Sequence, residues 1–172
     1  MPRNDAMTAP LSTDVPLADL GATRALGRRL AVLLAPGDIV ALRGPLGAGK
    51  TALARFVIGA LCERYGVPAP DEVPSPTYTL VQTYEAGAVA VWHFDLYRLE
   101  RPEDAEELAI FDAFACSISL IEWPERLGAL LPPDHLEITL NPDGDGGRVA
   151  RLTGYGGRGR ELVATLSARP RP

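Results

Sequence analysis

The feature that most restricts what this chain can fold into is the run "GPLGAGKT", Gly44 to Thr51, set between an apolar strand pattern and an amphipathic helix pattern. It matches G-x-x-x-x-G-K-[ST], the loop in which backbone N–H groups surround phosphates, a lysine reaches the outer ones and a hydroxyl holds magnesium. Before it, "GDIVALRG" supplies a short β-branched strand over Asp38 to Arg43, as in a buried parallel sheet. After it, Leu53, Phe56, Val57, Ala60 and Leu61 recur at i, i+3, i+4, i+7 and i+8, and Gly66 stands where a helix end favours left-handed backbone. A strand, a glycine-rich turn and a helix whose N-terminus faces the turn form an anion site, because the helix end carries free N–H groups and partial positive charge.

The cation in the motif is unusual for this chain. Lys50 is its one lysine among sixteen arginines. A compact ammonium on a thin stem can thread a narrow loop, whereas a planar guanidinium fork cannot. The sequence therefore marks Lys50 as a position where arginine would not serve.

A chain of 172 residues with 47% hydrophobic and 23% charged residues has the length and composition of one folded domain. Its longest apolar run, Leu30 to Pro36, is far short of a membrane span. No signal peptide pattern is visible in "MPRNDAMTAPLSTDVP", so residues 1–18 are expected to be a flexible tail of a cytoplasmic protein, followed by a single domain over 19–167 and a C-terminal tail over 168–172. Cys62 and Cys116 lack metal-ligand spacing and read as structural thiols. A net charge of −5 argues against holding nucleic acid unaided; the Arg-bearing stretch from Arg148 to Arg171 reads as a solvated strand and helix.

The remaining patterns predict a first helix over Leu20 to Leu34 capped by Asp19, an extended proline-rich loop "VPAPDEVPSP", a hairpin from "TYTLVQTY" and "AVAVWHFDLY", and a helix over Pro102 to Ala115. A strand "SISLIE", a short helix over Glu125 to Leu130, and strands over His135 to Leu140 and Arg148 to Thr153 follow. The sum is a three-layer α/β, P-loop NTPase-like domain with a mixed parallel and antiparallel central sheet.

Two acids end apolar strands, where open α/β sheets place their ligands: Asp95 closes "AVWHFD" and Glu122 closes "SLIE". A carboxylate there faces solvent, a cation or hydrogen-bond donors, or else caps the next turn. "SPT", Ser75 to Thr77, opens a strand after the proline-rich loop, where some nucleotide switches carry a threonine that senses the terminal phosphate. Trp123, next to Glu122, reads as a core residue rather than a ligand, while Tyr97 and Arg98 close the site or pack beneath it.

"GPLGAGKT", "SPTYTL", "HFDLYRL" and "LIEWPE", in that order and spacing, resemble the bacterial TsaE (YjeE) family, the ATPase of tRNA threonylcarbamoyladenosine biosynthesis, from about Thr23 to Leu152. The resemblance implies an ATP- and Mg²⁺-binding protein that works with partners of the TsaB and TsaD type and meets tRNA only through them. It implies that Thr51 and Glu122 ligate Mg²⁺, that Asp95 orients the attacking water or a water on the metal, and that Ser75 to Thr77, with Thr77 foremost, form a switch-like segment. By the same resemblance the nucleotide lies against Leu46, Gly47, Ala48, Gly49, Lys50 and Thr51, with Trp123 beside it, Thr23 by the nucleoside and Arg151 a partner for the base. Two residues depart from the family pattern: Pro45 stands where an acid is usual, and Phe56 where glycine is usual.

Two other functions share some of these features. A small-molecule P-loop kinase shares the first loop but needs an acceptor pocket and an arginine-rich lid, and "SPT" leads instead into a hairpin without clustered arginines. A nucleotide-gated assembly module would bind ATP with only incidental hydrolysis. A GTPase is disfavoured by the lack of an N-K-x-D type segment for guanine.

Overall fold

A computed structural model describes residues 9–168. Within them seven strands form one sheet in the order β1-β7-β6-β2-β5-β4-β3. In chain order they are β1 (Leu11–Leu17), β2 (Ile39–Arg43), β3 (Val81–Ala86), β4 (Val89–Asp95), β5 (Ile118–Glu122), β6 (His135–Pro142) and β7 (Arg148–Tyr155). The four inner strands β6, β2, β5 and β4 run parallel, and antiparallel partners close both flanks: β3 on one side, β7 and then β1 on the other. The mixed sheet expected from the sequence is present.

Helices cover both faces. On one, α1 (Leu20–Leu33), α2 (Lys50–Arg64) and α4 (Gly156–Ser167) share an apolar cluster with Val40, Leu42, Leu120 and Ile138. On the other, α3 (Ile110–Cys116) and two 3₁₀ segments, Pro102–Leu108 and Pro124–Leu130, pack with Ile39, Phe94 and Ile121. α1 starts where its cap predicts, with the Asp19 carboxylate accepting from the Ala22 N–H at 2.8 Å. It crosses α2 closely at Gly27, where a Cβ would lie 2.8 Å from the Phe56 Cβ. The phenylalanine at 56 is therefore accommodated by a glycine opposite it.

Four expectations change. Residues 11–17 are not a tail but an edge strand, antiparallel to β7, with alternating burial that ends on the buried Leu17; Pro16 is tolerated because it lies on the sheet edge. The folded unit thus begins before 19, while the reading of 1–8 and 169–172 as tails lies outside the described residues. The segment Ser75 to Leu80 does not begin a strand: it is a turn, closed by a Leu80 N–H to Pro76 carbonyl bond of 2.7 Å, and β3 starts only at Val81. The single helix over 102–115 is broken at Ala109, whose left-handed backbone (φ 55°) separates a 3₁₀ turn from α3. Cys62 is buried as a structural thiol should be, but Cys116, at the end of α3, is exposed.

Candidate phosphate-binding site at the start of α2

The site forms where β2, β4 and β5 end. β2 delivers the chain into Gly44, β4 ends on Asp95 and β5 on Glu122, and the ladder sets Asp95 directly opposite Glu122. The glycines of the loop are required by its path. Gly44, Gly47 and Gly49 all have positive φ, and a Cβ on Gly44 would sit 2.6 Å from the Leu140 carbonyl oxygen. Gly49 caps α2 without a side-chain hydrogen bond, so the first-turn N–H groups are left for an anion.

These groups surround a cleft of about 350 Å³ lined by Leu46 to Ala52, Ser75, Thr77, Asp95, Glu122 and Trp123. Lys50 is 4% exposed. It donates to the carbonyls of Gly44 (2.6 Å) and Pro45 (2.9 Å), and its ammonium lies 4.2 Å from the centre of the Trp123 ring. Burial pushes the ammonium below the ordinary lysine range, against the opposing pull of the Glu122, Asp95 and Glu125 carboxylates. Trp123 reaches this place through left-handed backbone (φ 59°), a conformation that costs a non-glycine residue roughly 1–2 kcal/mol. Its ring packs between Lys50 and Tyr97, whose ring centre is 4.9 Å away.

The two acids are buried with different partners. Glu122 accepts from the Thr51 hydroxyl, which is 2.9 Å from Oε1 and 3.0 Å from Oε2, and Oε1 lies 2.8 Å from His93 Nε2. Asp95 Oδ2 accepts from the hydroxyls of Ser75 (2.8 Å) and Thr77 (3.0 Å), while Oδ1 accepts from the Tyr97 N–H. The sheet thus divides the acids, one toward the helix start and the other toward the 75–80 turn. Thr51 and Glu122 offer hard oxygen donors on one wall, a fit for Mg²⁺ that keeps waters and phosphate oxygens as its other ligands. Among the described residues no three of His, Cys, Asp or Glu converge on a metal cage, so a cation here would depend on such outside ligands.

Most of the sequence-derived candidates meet here: Leu46, Gly47, Ala48, Gly49, Lys50, Thr51, Thr77, Asp95, Glu122 and Trp123 line one cleft. Thr23 does not line it but stands in a small adjoining cleft with Ala48, Gly49 and Ala52. Arg151 is elsewhere, paired with Asp14 of β1 at 2.9 Å. Arg148 takes the place beside the loop instead: its guanidinium approaches the Gly47 carbonyl at 3.4 Å and flanks Gly49. Two residues three apart on a strand point to opposite faces, so the register decides between them. His93 is the other residue that the sequence reading passed over. The signal was its place two residues before Asp95, on the same face of β4.

The Threonylcarbamoyl adenosine biosynthesis protein TsaE family matches residues 17–150. A Rickettsia conorii protein, named tRNA threonylcarbamoyladenosine biosynthesis protein TsaE, is 42% identical over 118 residues, 69% of this chain and 65% of its own length. A Bacillus subtilis protein of the same name is 32% identical over 146 residues, 84% of this chain and 87% of its own length. The crystal structure of Bacillus subtilis YdiB superposes with a TM-score of 0.75 at 25% identity, covering 93% of this chain and 97% of that one. Among the described residues no helix is long and apolar enough to cross a membrane.

Proposed function

The chain belongs to the TsaE family, and on that premise we propose that it is a Mg²⁺-dependent ATPase serving threonylcarbamoyladenosine modification of tRNA, acting with proteins of the TsaB and TsaD type. The observation that carries this reading is the meeting of Lys50, the Thr51 hydroxyl and the Glu122 carboxylate at the uncapped start of α2.

In this reading the α2 N–H groups and Lys50 hold the phosphates of ATP, Lys50 exchanging the carbonyls of Gly44 and Pro45 for phosphate oxygens. Magnesium, held by Thr51 and Glu122, would offset the phosphate charge. Asp95 accepts a hydrogen bond from the attacking water at Oδ2, in place of a hydroxyl of Ser75 or Thr77, and so aligns it. The 75–80 turn thereby becomes sensitive to what occupies the cleft. Trp123 excludes water from the side of the lysine. Among the described residues no arginine lines the cleft on its terminal-phosphate side, a role worth about 10³ to 10⁵ in rate when filled in trans.

Turnover by the isolated chain should therefore be slow, and adding a TsaB–TsaD complex should raise steady-state phosphate release roughly tenfold or more. A Thr77→Ala variant should blunt the rise. Rapid turnover by the chain alone, unchanged by the complex, would overturn this reading.

The register supplies a second expectation. Arg148→Ala should weaken ATP binding about threefold or more, whereas Arg151→Ala should leave it within about twofold, since Arg151 is held in an exposed pair with Asp14 and does not line the cleft. Calorimetric titration of both variants checks it, and the reverse ranking would restore Arg151 as the nucleotide contact.

A further inference from the structure

His93 is fully buried, lies outside the cleft and is not used in the reading above. It sits on β4 opposite Leu120 in the ladder, which places it diagonal to Glu122 on the same face of the sheet. Its Nε2 is 2.8 Å from Glu122 Oε1, and among the described residues its Nδ1 has no hydrogen-bond partner. The ring therefore spends its one hydrogen bond on this carboxylate. A histidine sealed in a strand interior with half of its polar edge unmatched is costly, and core packing alone would be served better by leucine.

The consequence lies in what the contact does to Glu122. This carboxylate is 3% exposed and stands opposite Asp95 in the ladder, and its partners among the described residues are two side chains, Thr51 and His93, with no backbone N–H to fix its rotamer. Like charges facing each other across a ladder repel, so Glu122 left to itself would turn away from Asp95. The Nε2–H donor holds Oε1, which the Thr51 hydroxyl also reaches, whereas Oε2 meets only that hydroxyl.

We propose that His93 is a positioning residue: through Nε2–H it locks Glu122 in the orientation that turns Oε2 and the Thr51 hydroxyl toward a nucleotide-bound divalent cation. The inference rests on the Mg²⁺–nucleotide reading of the cleft. A histidine behind a metal-binding carboxylate acts as outer-shell partners do elsewhere, where their loss typically weakens metal affinity about 10- to 100-fold.

The test uses the full chain and ADP, with Mn²⁺ as a spectroscopic substitute for Mg²⁺. His93→Leu should bind ADP without metal within about twofold of the parent, yet bind Mn²⁺ to the ADP complex roughly tenfold or more weakly by electron paramagnetic resonance. His93→Gln, which keeps a side-chain N–H of similar reach, should recover most of that loss. A purely structural role would instead lower metal-free ADP affinity in step and give no rescue by glutamine. A measurement on the unmutated chain runs in parallel. With ¹⁵N-histidine only two rings report, His93 and His135, and the His93 Nε2 resonance should move on adding Mg²⁺ to the ADP complex and not on adding ADP alone. A leucine variant with parental Mn²⁺ affinity, or, if that variant does not fold, a His93 resonance indifferent to Mg²⁺, overturns the assignment. Absence of any Mg²⁺-dependent ADP binding by the parent chain overturns the proposed function itself, a separate result.

Discussion

Lys50→Ala should lose ATP affinity by roughly tenfold or more while the protein stays folded, and Lys50→Arg should lose nearly as much. The first part follows from the number of partners. The ammonium makes two hydrogen bonds to loop carbonyls, at 2.6 and 2.9 Å, and these are the bonds that phosphate oxygens would replace. A charge-assisted hydrogen bond is worth about 1.5 to 3 kcal/mol, and every 1.4 kcal/mol is about a factor of ten in affinity. The side chain stands at the N-terminal end of the buried face that Leu53, Val57 and Leu61 continue, and it is not part of the apolar cluster they form, so the hydrophobic core is left in place. The second part is steric. Lys50 runs between the loop and the Trp123 ring, which is 4.2 Å from the ammonium, and a planar guanidinium would have to displace either the ring or the Gly44 and Pro45 carbonyls. Calorimetric titration with ATP, read beside thermal melts of the same variants, decides it. An arginine variant of near-parental affinity would show that charge alone matters at this position.

What the sequence disclosed depended on the range of the signal. The loop, its flanking strand and helix, and the Asp19 cap are local: each is fixed by neighbours within a few residues, and each appears where the pattern puts it. The acids were legible because a carboxylate closing an apolar strand is conspicuous on chemical grounds. What the sequence pattern did not disclose mostly involves partners far apart in the chain. Whether "LSTDVPL" is a tail or an edge strand depends on pairing with residues 148–154, and its proline removes the usual mark of a strand. The choice between Arg148 and Arg151 turns on which face of β7 meets the loop, and a shift of one residue in register reverses the answer. Ala109 breaks a helical pattern without a glycine or proline to announce it. His93 acquires a role only through the ladder, which places Glu122 within its reach.

The acids themselves give the other large effect. Asp95→Asn should leave Mg²⁺-dependent ATP binding within a few-fold and reduce turnover by about 10² to 10⁴, the range of a positioned proton acceptor. Glu122→Gln should instead abolish most of the increment that Mg²⁺ adds to nucleotide affinity, while metal-free ADP binding stays. The difference is set by their partners: Glu122 shares the Thr51 hydroxyl at the helix start, whereas Asp95 faces Ser75 and Thr77. Stability should not confuse the outcome. The two carboxylates stand opposite each other in the ladder, Asp95 at 4% and Glu122 at 3% exposure, so neutralising either one removes a like-charge repulsion. In Asp95→Asn the amide oxygen can still accept from the Tyr97 N–H. In Glu122→Gln the amide oxygen can face the His93 ring while the amide N–H donates to the Thr51 oxygen. Both variants should therefore melt within a few degrees of the parent. Binding titrations with and without Mg²⁺, together with single-turnover phosphate release, separate the roles. Equal loss of affinity in both variants, seen only when Mg²⁺ is present, would assign both acids to the metal and leave the alignment of water to the hydroxyls of the 75–80 turn.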